Sequence, residues 1–229
     1  TTARDEFIYH EMLAHVPLFS LDAPREVLII GGGDGGCLEE VLKHPVDRVT
    51  MIELDRQVVD LAQAHLGMIC GAAFDDPRTE LRIEDGAKFL AETNRRFDLI
   101  IIDSTDPIGP GVVLFNPEFY ANCRRCLLPT GILATQNGVP FIQAEELTAS
   151  ATAFKDLFKY PRFCFAAVPT YMGGVMAFGC ASDSTDAGAI PLETLRARQQ
   201  QLALDLSYYS AEVHLGAFAM PPYLQALMP

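Results

Sequence analysis

Short apolar runs alternate along this chain with segments in which apolar residues recur at helical spacing. The first run, residues 26–30, is followed by a glycine-rich turn and a helical pattern over residues 37–43. Three further strand and helix pairs follow, at residues 49–52 and 55–65, 81–83 and 86–93, and 97–102 and 116–127. This alternation predicts a parallel sheet. Residues 99–102 are apolar at every position, which is typical of strands covered by helices on both faces.

The last part of the predicted sheet departs from this alternation. A fifth strand at residues 132–135 and a helix at 144–158 precede two strands, 164–168 and 175–180, whose connection contains two adjacent glycines. A connection this short predicts that the two strands are antiparallel. We therefore predict an α/β fold with a doubly wound, mostly parallel sheet and a C-terminal antiparallel hairpin. This Rossmann-like plan is typical of methyltransferase-type, nucleoside-binding domains.

The chain is predicted to form a single domain over residues 1–229. Residues 1–24 supply an opening helix, predicted over 5–15, and a linker, and residues 25–182 supply the Rossmann-like core. Residues 183–229 supply a C-terminal helix, predicted over 192–204, and an irregular tail from residue 208. Because the chain begins with Thr1 rather than Met, we expect a segment to precede it.

The charge balance narrows the class of ligand. The chain has 17 basic and 30 acidic residues, which gives a net charge of -13. A field of this sign opposes binding to nucleic acid and to anionic membranes, and it favours a cationic substrate. No apolar run approaches the ~18 residues of a membrane span. The cysteines are scattered in a chain large enough to fold without disulfides, and no signal peptide opens it, so we expect a cytoplasmic protein.

Acidic residues stand where the predicted strands end. They are Asp34, Glu53, Asp55, Asp85, Asp103 and Asp106. Because ligands of open α/β sheets bind beyond the carboxyl ends of the strands, we expect these side chains to share one rim. Each acid could instead cap the N-terminus of the helix that follows it and have no contact with a ligand. This alternative applies above all to Asp55 and Asp85.

The turn at residues 31–36 contains the pattern G-x-G-x-x-G, which follows a strand and opens a helix. Glu53 stands about 20 residues further on, where such folds bind ribose hydroxyls. These features predict a nucleoside ligand. Asp34 within the turn would repel a pyrophosphate, so a cationic ligand without phosphate fits better. Asp85 and Gly86 follow the third strand, where an acid can accept a hydrogen bond from an adenine amino group.

Asp103 and Asp106 lie in a loop that two prolines stiffen. Paired acids serve as metal ligands, as a general base or as anchors for an ammonium group. The loop contains no histidine and no third carboxylate, so a metal is the least favoured of the three. Cys123 and Cys126 form a C-x-x-C without a second ligand pair, and we interpret them as half-buried helix cysteines rather than a zinc site.

Three other polar residues are ambiguous by position alone. Tyr9 and His10 lie on the predicted opening helix, where a lone histidine is usually a surface residue. Tyr171 lies beside the glycine pair of the hairpin turn. It either leans over the rim or packs on its neighbours.

Motifs in several parts of the chain together resemble a known family. They are residues 5–12 (DEFIYHEM), 31–36 (GGGDGG), 75–78 (DDPR) and 103–110 (DSTDPIGP), with further likeness at 136–138, 169–171 and 221–224. Over nearly its full length the chain resembles the bacterial spermidine synthases, a family of aminopropyltransferases. The resemblance implies transfer of the aminopropyl group of decarboxylated S-adenosylmethionine to putrescine, which gives spermidine and 5'-methylthioadenosine.

The resemblance also implies a role for each site residue. Asp103 would be the general base that removes a proton from the acceptor amine. The diamine would be oriented or held by Tyr9, His10, Asp106 and Tyr171. The nucleoside pocket would be formed by Gly31, Gly33, Glu53, Asp85, Gly86 and Pro110. Asp34 would bind the aminopropyl ammonium and would disfavour the carboxylate of intact S-adenosylmethionine.

We expect no metal and no other cofactor, because the leaving thioether departs neutral. The family implies a homodimer or homotetramer, and a β-rich N-terminal segment that precedes this chain and supplies a glutamine to the donor pocket. Two alternatives remain. One is a putrescine N-methyltransferase that uses intact S-adenosylmethionine, and the other is a polyamine or nucleoside sensor without turnover. The acceptor also stays open among putrescine, cadaverine, agmatine and spermidine.

Overall fold

The computed structural model describes residues 2–106 and 109–229, apart from the side chain of Pro110. The strands are β1 (Glu26–Gly31), β2 (Arg48–Glu53), β3 (Thr79–Ile83), β4 (Phe97–Asp103), β5 (Leu127–Gln136), β6 (Tyr160–Ala166) and β7 (Met176–Ser182). They form one sheet in the order β3-β2-β1-β4-β5-β7-β6. Strands β1 to β5 pair in parallel, and β7 is antiparallel to both β5 and β6.

Helices connect the strands and follow the last of them. They are α1 (Glu6–Ser20), α2 (Gly36–Leu42), α3 (Arg56–His65), α4 (Gly67–Cys70), α5 (Gly86–Glu92), α6 (Pro117–Cys126), α7 (Ala144–Leu157), α8 (Leu192–Leu202), α9 (Ala211–Ala217) and α10 (Pro222–Gln225). Short 3-10 turns lie at Ala73–Asp75, Gly109–Phe115 and Ala187–Ala189. Among the described residues, no helix combines the length and the apolar character that crossing a bilayer requires.

Two hydrophobic cores cover the two faces of the sheet. Along β1, Val27 and Ile29 belong to a core with α1, α2, α8 and α9. The alternate residues Leu28 and Ile30 belong to a second core with α5, α6 and α7. Because successive side chains of a strand point to opposite faces, this division explains why the strand is apolar at every position. The predicted doubly wound, mostly parallel sheet with its antiparallel hairpin is confirmed.

The C-terminal part departs most from the sequence expectations. The tail predicted as irregular from residue 208 contains α9 and α10, so that prediction is wrong. Ser210 caps α9 by accepting a hydrogen bond from the backbone N–H of Val213 at 3.1 Å. Helices of this length are too short to show a helical period, and packing stabilises them. The hairpin strand predicted at residues 164–168 begins earlier, at Tyr160.

Helix α1 is buried on nearly all sides, from Ile8 to Ser20. It packs against α2 and over β4 and β5. The Glu11 carboxylate accepts three backbone N–H hydrogen bonds, from Ser207, Tyr208 and Tyr209, which ties the C-terminal segment to the helix. The N-terminal half of the helix lies at the carboxyl edge of the sheet, where the Tyr9 hydroxyl donates to Asp103 at the end of β4.

The C-x-x-C cysteines on α6 are not half-buried as the sequence suggested. Cys123 and Cys126 are both fully buried. Their thiols are free. They belong to the core between α6 and the sheet.

Candidate active site

A cavity of about 580 Å³ lies at the carboxyl edge of the sheet, where β1, β2 and β4 end. It brings together most of the residues that the sequence singled out. Those that line it are Tyr9, Gly31, Gly33, Asp34, Glu53, Asp55, Asp85, Gly86, Asp103 and Tyr171. The cavity therefore has an acidic wall at the position that open α/β sheets use for ligands.

The glycine-rich turn brings the backbone close to the neighbouring strand ends. Gly31 and Gly32 have φ values of 83° and 68°, which L residues with a side chain rarely adopt. The N–H of Gly32 donates to the backbone oxygen of Asp103 at 2.8 Å. A Cβ atom at Gly33 would lie 2.8 Å from Glu53 Oε2. Only glycine therefore lets the turn, the end of β4 and the Glu53 carboxylate approach one another this closely.

One half of the cavity, which we call the nucleoside half, has Glu53, Asp85 and Gly86 on its wall. Glu53 Oε1 accepts a hydrogen bond from the backbone N–H of Asp55 at 3.0 Å. Asp85 Oδ1 accepts from the N–H groups of Ala87 and Lys88, and so caps α5. The N-cap alternative for Asp85 is therefore true, but its Oδ2 takes no part in the cap. One carboxylate can cap the helix and still face a ligand.

An apolar surface completes the nucleoside half. It consists of Ile30, Ile52, Leu54, Val58, Val113 and Leu114. Leu54 is 56% exposed and Val58 is 42% exposed, although both are large apolar side chains. Apolar groups left open inside a polar rim are typical of a ligand pocket. These residues were not predicted from the sequence, where an apolar residue directly after the acid that ends β2 was the available signal.

The other half of the cavity, which we call the amine half, is built around Asp103. The hydroxyl of Tyr9 donates a hydrogen bond to Asp103 Oδ1 at 2.5 Å, across 94 residues of sequence. Asp103 Oδ2 is buried and has no hydrogen-bond partner among the described residues. Burial raises the pKa of Tyr9 well above its usual value, so Tyr9 stays a neutral donor. Asp103 thus has one oxygen held by Tyr9 and the other without a partner among the described residues.

The charges in the amine half act on one another. Burial and the charge of Asp34 raise the pKa of Asp103 to about 6, against the opposing effects of His10 and of the Tyr9 hydrogen bond. Burial would also raise the pKa of Asp34, but the nearby charge of His10 and the hydrogen bond from the Gly36 N–H outweigh it and lower that pKa. At neutral pH both carboxylates are ionised. Asp103 nevertheless has the higher affinity for a proton.

His10 lies behind this acidic wall and does not line the cavity. It is 1% exposed. Its Nδ1 lies 2.6 Å from Glu6 Oε2, and its Nε2 lies 3.6 Å from Asp34 Oδ1. Burial alone would lower the pKa of His10, but the neighbouring carboxylates of Asp34 and Glu6 raise it to about 10. His10 is therefore a buried cation, and Glu6 is a site residue that sequence reasoning did not identify.

Ligand atoms of His10, Asp34 and Asp103 lie within 4.8 Å of one another, the spacing of a possible metal site among the described residues. Both ring nitrogens of His10 already face carboxylates and are protonated at neutral pH. A metal ion would have to displace a proton from that buried imidazolium. We therefore assign no metal to these residues, and the expectation that the site uses none stays a prediction.

Of the other predicted residues, Tyr171 lies at the amine half beside Tyr9. Asp5 accepts a hydrogen bond from the backbone N–H of Thr170 at 2.6 Å, which fixes the segment beside Tyr171. The rings of Tyr9 and Tyr171 are 6.1 Å apart. Asp106 is exposed and is not among the described residues that line the cavity. The side chain of Pro110 lies outside what the structure describes, so its predicted place in the pocket stays a prediction.

Comparisons with known proteins agree with this geometry. The family model described as "Spermine/spermidine synthase domain" matches residues 6–189. The chain is 55% identical over 229 residues to polyamine aminopropyltransferase 1 of Pseudomonas aeruginosa. This alignment covers 99% of this chain and 80% of that relative. It is 47% identical over 226 residues to the polyamine aminopropyltransferase of Escherichia coli, with 98% and 78% covered.

Solved structures show the same similarity. A spermidine synthase in complex with the transition-state analogue AdoDATO matches with a TM-score of 0.94 and 38% identity, over 100% of this chain and 77% of that one. The spermidine synthase of Thermotoga maritima matches with a TM-score of 0.90 and 35% identity, over 100% and 76%. The likeness therefore covers the whole described fold, including the cavity.

Proposed function

The chain belongs to the spermine/spermidine synthase family, and from this premise we propose that its cavity makes spermidine. The reaction transfers the aminopropyl group of decarboxylated S-adenosylmethionine to putrescine and releases 5'-methylthioadenosine. The protein is thus an enzyme of the transferase class. The observation that carries the proposal is the Asp103 carboxylate on the cavity wall, with Oδ1 held by Tyr9 and Oδ2 without a hydrogen-bond partner among the described residues.

The nucleoside half fits the adenosine part of the donor. Glu53 stands at the glycine turn, with its Oε2 available to accept from ribose hydroxyls. Asp85 keeps Oδ2 for the adenine amino group, because its cap uses Oδ1 alone. Leu54 and Val58 offer apolar surface to the adenine ring. This half contains no basic residue among its described lining, which fits a donor without phosphate.

Donor selection follows from the charge of the amine half. Asp34 faces the cavity and is ionised, so it attracts the ammonium at the end of the aminopropyl group. Intact S-adenosylmethionine carries an extra carboxylate on the same arm. That carboxylate would meet Asp34 and Asp103 in a partly desolvated site, where repulsion between like charges is costly. The site therefore prefers the decarboxylated donor.

The chemical step needs a base. The acceptor amine resembles a lysine side chain with a pKa of ~10.4, so it arrives protonated and cannot attack. Asp103 takes that proton on its unpaired Oδ2, while Tyr9 fixes Oδ1. Its pKa of about 6 leaves it ionised at neutral pH and more basic than an ordinary aspartate.

The displacement itself proceeds in one step. The amine nitrogen forms a bond to the aminopropyl carbon attached to the sulfonium, and the carbon–sulfur bond breaks with its electron pair going to sulfur. Sulfur leaves as a neutral thioether. Orientation of the two substrates in line can supply ~7 to 11 kcal/mol of the barrier reduction. We propose that Tyr171 orients the diamine, and that Asp106 binds its far end from the exposed loop.

The remaining features of the proposal concern cofactors and assembly. We propose that the reaction uses no metal and no cofactor, because no charge develops on the leaving group that a cation would stabilise. We also propose a cytoplasmic homodimer or homotetramer. Sedimentation analysis of the purified protein would establish the oligomeric state.

Product analysis by mass spectrometry tests the proposed function. The protein is incubated with decarboxylated or intact S-adenosylmethionine and with putrescine, cadaverine, agmatine or spermidine. We expect 5'-methylthioadenosine and spermidine from the decarboxylated donor with putrescine. Methylated amine and S-adenosylhomocysteine from the intact donor would identify a putrescine N-methyltransferase. Binding of the donor without any product would identify a sensor, and either result would overturn the proposal.

A further inference from the structure

His10 is a buried cation of α1 whose charge the reaction steps above do not use. Groups on four elements face it. Glu6 and Tyr9 lie on α1, Asp34 lies in the turn after β1, and Asp103 ends β4. On α2, a Cβ atom at Gly36 would collide with the His10 ring, so that ring packs directly on the helix backbone.

The charges around His10 do not cancel. Glu6, Asp34 and Asp103 are carboxylates, and His10 is a cation that faces all three. Tyr9 and the adjacent buried Cys37 are neutral, because burial raises both of their pKa values. Two of the carboxylates, Asp34 and Asp103, face the same cavity. Carboxylates this close normally share a proton, because one charge disfavours the other.

We propose that His10 is a positioning residue of aminopropyl transfer, a buried cation that lets Asp34 and Asp103 be ionised together, and that Glu6 holds its charge. The inference rests on the proposed function. This role goes beyond the contact with the diamine that the resemblance implies for His10, a buried residue that is not among the described lining of the cavity. Asp34 can then attract the ammonium of the donor while Asp103 accepts the proton of the acceptor.

The geometry supports the first link, from His10 to the two aspartates. Ligand atoms of His10, Asp34 and Asp103 lie within 4.8 Å of one another, so one imidazolium is close to both carboxylates. The charge of His10 lowers the pKa of both aspartates, whereas the charge of Asp34 raises that of Asp103. Without the cation, Asp103 would retain a proton to a higher pH and would be a base in a smaller fraction of the molecules.

The second link, from Glu6 to His10, follows from burial. A histidine that is removed from water tends to lose its proton unless an acid compensates. Glu6 stands four residues before His10 on the same helix face, and its Oε2 lies 2.6 Å from Nδ1. Asp34 occupies the other ring nitrogen. Glu6 therefore keeps the ring fixed and protonated from the side that is remote from the substrate.

The pH dependence of kcat/KM tests the first link. His10→Gln removes the cation but keeps a polar side chain beside Asp34. We expect the acidic limb of its profile to move up by about one pH unit, so that the loss is about tenfold at the acidic end and small above pH ~8. A limb that coincides with that of the wild type, or an equal loss at every pH, would overturn the proposal.

Nitrogen NMR of the histidine rings tests the second link without turnover. His10 is assigned by the signal that His10→Gln lacks. We expect an imidazolium in the wild type through pH ~8, and in Glu6→Gln a deprotonation at least about one pH unit lower. Glu92→Gln, which removes an exposed acid at the far end of α5, should leave the His10 titration unchanged. A neutral His10 in the wild type at pH 7, or no change in Glu6→Gln, would contradict the proposal.

The two readouts separate the proposal from the proposed function. If the wild type releases no 5'-methylthioadenosine, the proposed function fails, and the NMR titration still decides whether Glu6 holds a charge on His10. If turnover is present and the His10→Gln limb does not move, only the role of His10 fails.

Discussion

Two buried histidines on the same helix have opposite protonation, and the contrast separates the working site from the scaffold behind it. His10 faces Glu6 and Asp34, and its pKa is raised to about 10. His15 is equally buried, yet burial, assisted by the charge of Lys43, lowers its pKa to about 3. Burial favours the neutral form of both rings, and only at His10 do the neighbouring carboxylates outweigh it.

The surroundings of His15 explain the difference. Its Nδ1 lies 2.8 Å from His44 Nε2, and its Nε2 lies 2.9 Å from Glu40 Oε2. One neutral arrangement satisfies all three groups, with His44 Nε2–H donating to His15 and His15 Nε2–H donating to Glu40. The charge of Glu40 is already compensated by Lys43 at 2.8 Å. We call His15, Glu40 and His44 the neutral cluster. It holds α1 to α2, whereas the charged site at His10 serves the cavity.

Asp103→Asn should give the largest effect. It should impair catalysis at the cavity and leave the stability of the fold unchanged. Loss of the base is expected to lower kcat by about 10² to 10⁴. The thermal midpoint should not fall, because the change removes a charge from a buried position. Asp156→Asn, the same change at an exposed position on α7, is the matched control. Retention of wild-type kcat would exclude Asp103 as the base, whether or not donor binding survives.

Asp34→Asn should weaken the choice of donor. A hydrogen bond to a charged group contributes about 1.5 to 3 kcal/mol, so we expect KM for decarboxylated S-adenosylmethionine to rise by about 10- to 100-fold. The amide can still accept from the N–H of Gly36, so the turn should be preserved. Competition between the two donors, followed by mass spectrometry, measures the selectivity. Unchanged discrimination against the intact donor would show that Asp34 does not set it.

Glu40→Ala should have the opposite effect to Asp103→Asn, because it should lower the stability of the fold and leave turnover unchanged. It leaves the buried Nε2–H of His15 without its acceptor, which costs about 1 to 3 kcal/mol of unfolding free energy. Urea unfolding measures the loss, and kcat/KM should stay close to that of the wild type. Glu39→Ala removes the neighbouring, partly exposed partner of Lys43 and should change stability by less than about 0.5 kcal/mol. Equal losses in the two variants would contradict the buried role of Glu40.

The smallest expected effect is on the acid stability of the neutral cluster. His15 and His44 have ordinary pKa values of 6.5 that folding lowers to about 3, so below pH 6.5 only the unfolded state binds these protons. Stability therefore falls as pH falls from 6.5, by at most about 1.4 kcal/mol per pH unit for each histidine. His44→Gln should give a shallower slope than the wild type between pH ~6.5 and ~5. Equal slopes in urea unfolding would show that His44 is not neutral in the folded protein.

The nucleoside half was predictable because its parts are local in sequence. The strand, the glycine turn and the acid that ends the next strand can each be recognised from a few consecutive residues. Parallel pairing of the strands then places Glu53 and Asp85 at the same edge of the sheet. The structure places both acids on the cavity wall. It also shows why the cap and the ligand interpretations of Asp85 need not compete, since the two use different oxygens.

The amine half could not be predicted from local pattern. Tyr9 reaches Asp103 across 94 residues, and nothing in the periodicity of α1 says which of its faces meets the sheet edge. The family motif placed Tyr9 and His10 in the site, but not the burial of His10, its charge or the part played by Glu6. The prediction of an irregular tail from residue 208 was wrong for a related reason. Helices α9 and α10 are stabilised by packing and are too short to show a helical period in the sequence.

The pH profile of kcat/KM for the wild-type protein with decarboxylated S-adenosylmethionine tests the central claim most directly. Asp103 must be ionised to accept the proton, and its pKa is raised to about 6, so activity should fall as pH decreases through that value. The loss should follow a single protonation, while the fold, monitored by circular dichroism, persists. A profile that is flat down to pH ~4.5, as for an ordinary aspartate, would contradict the account.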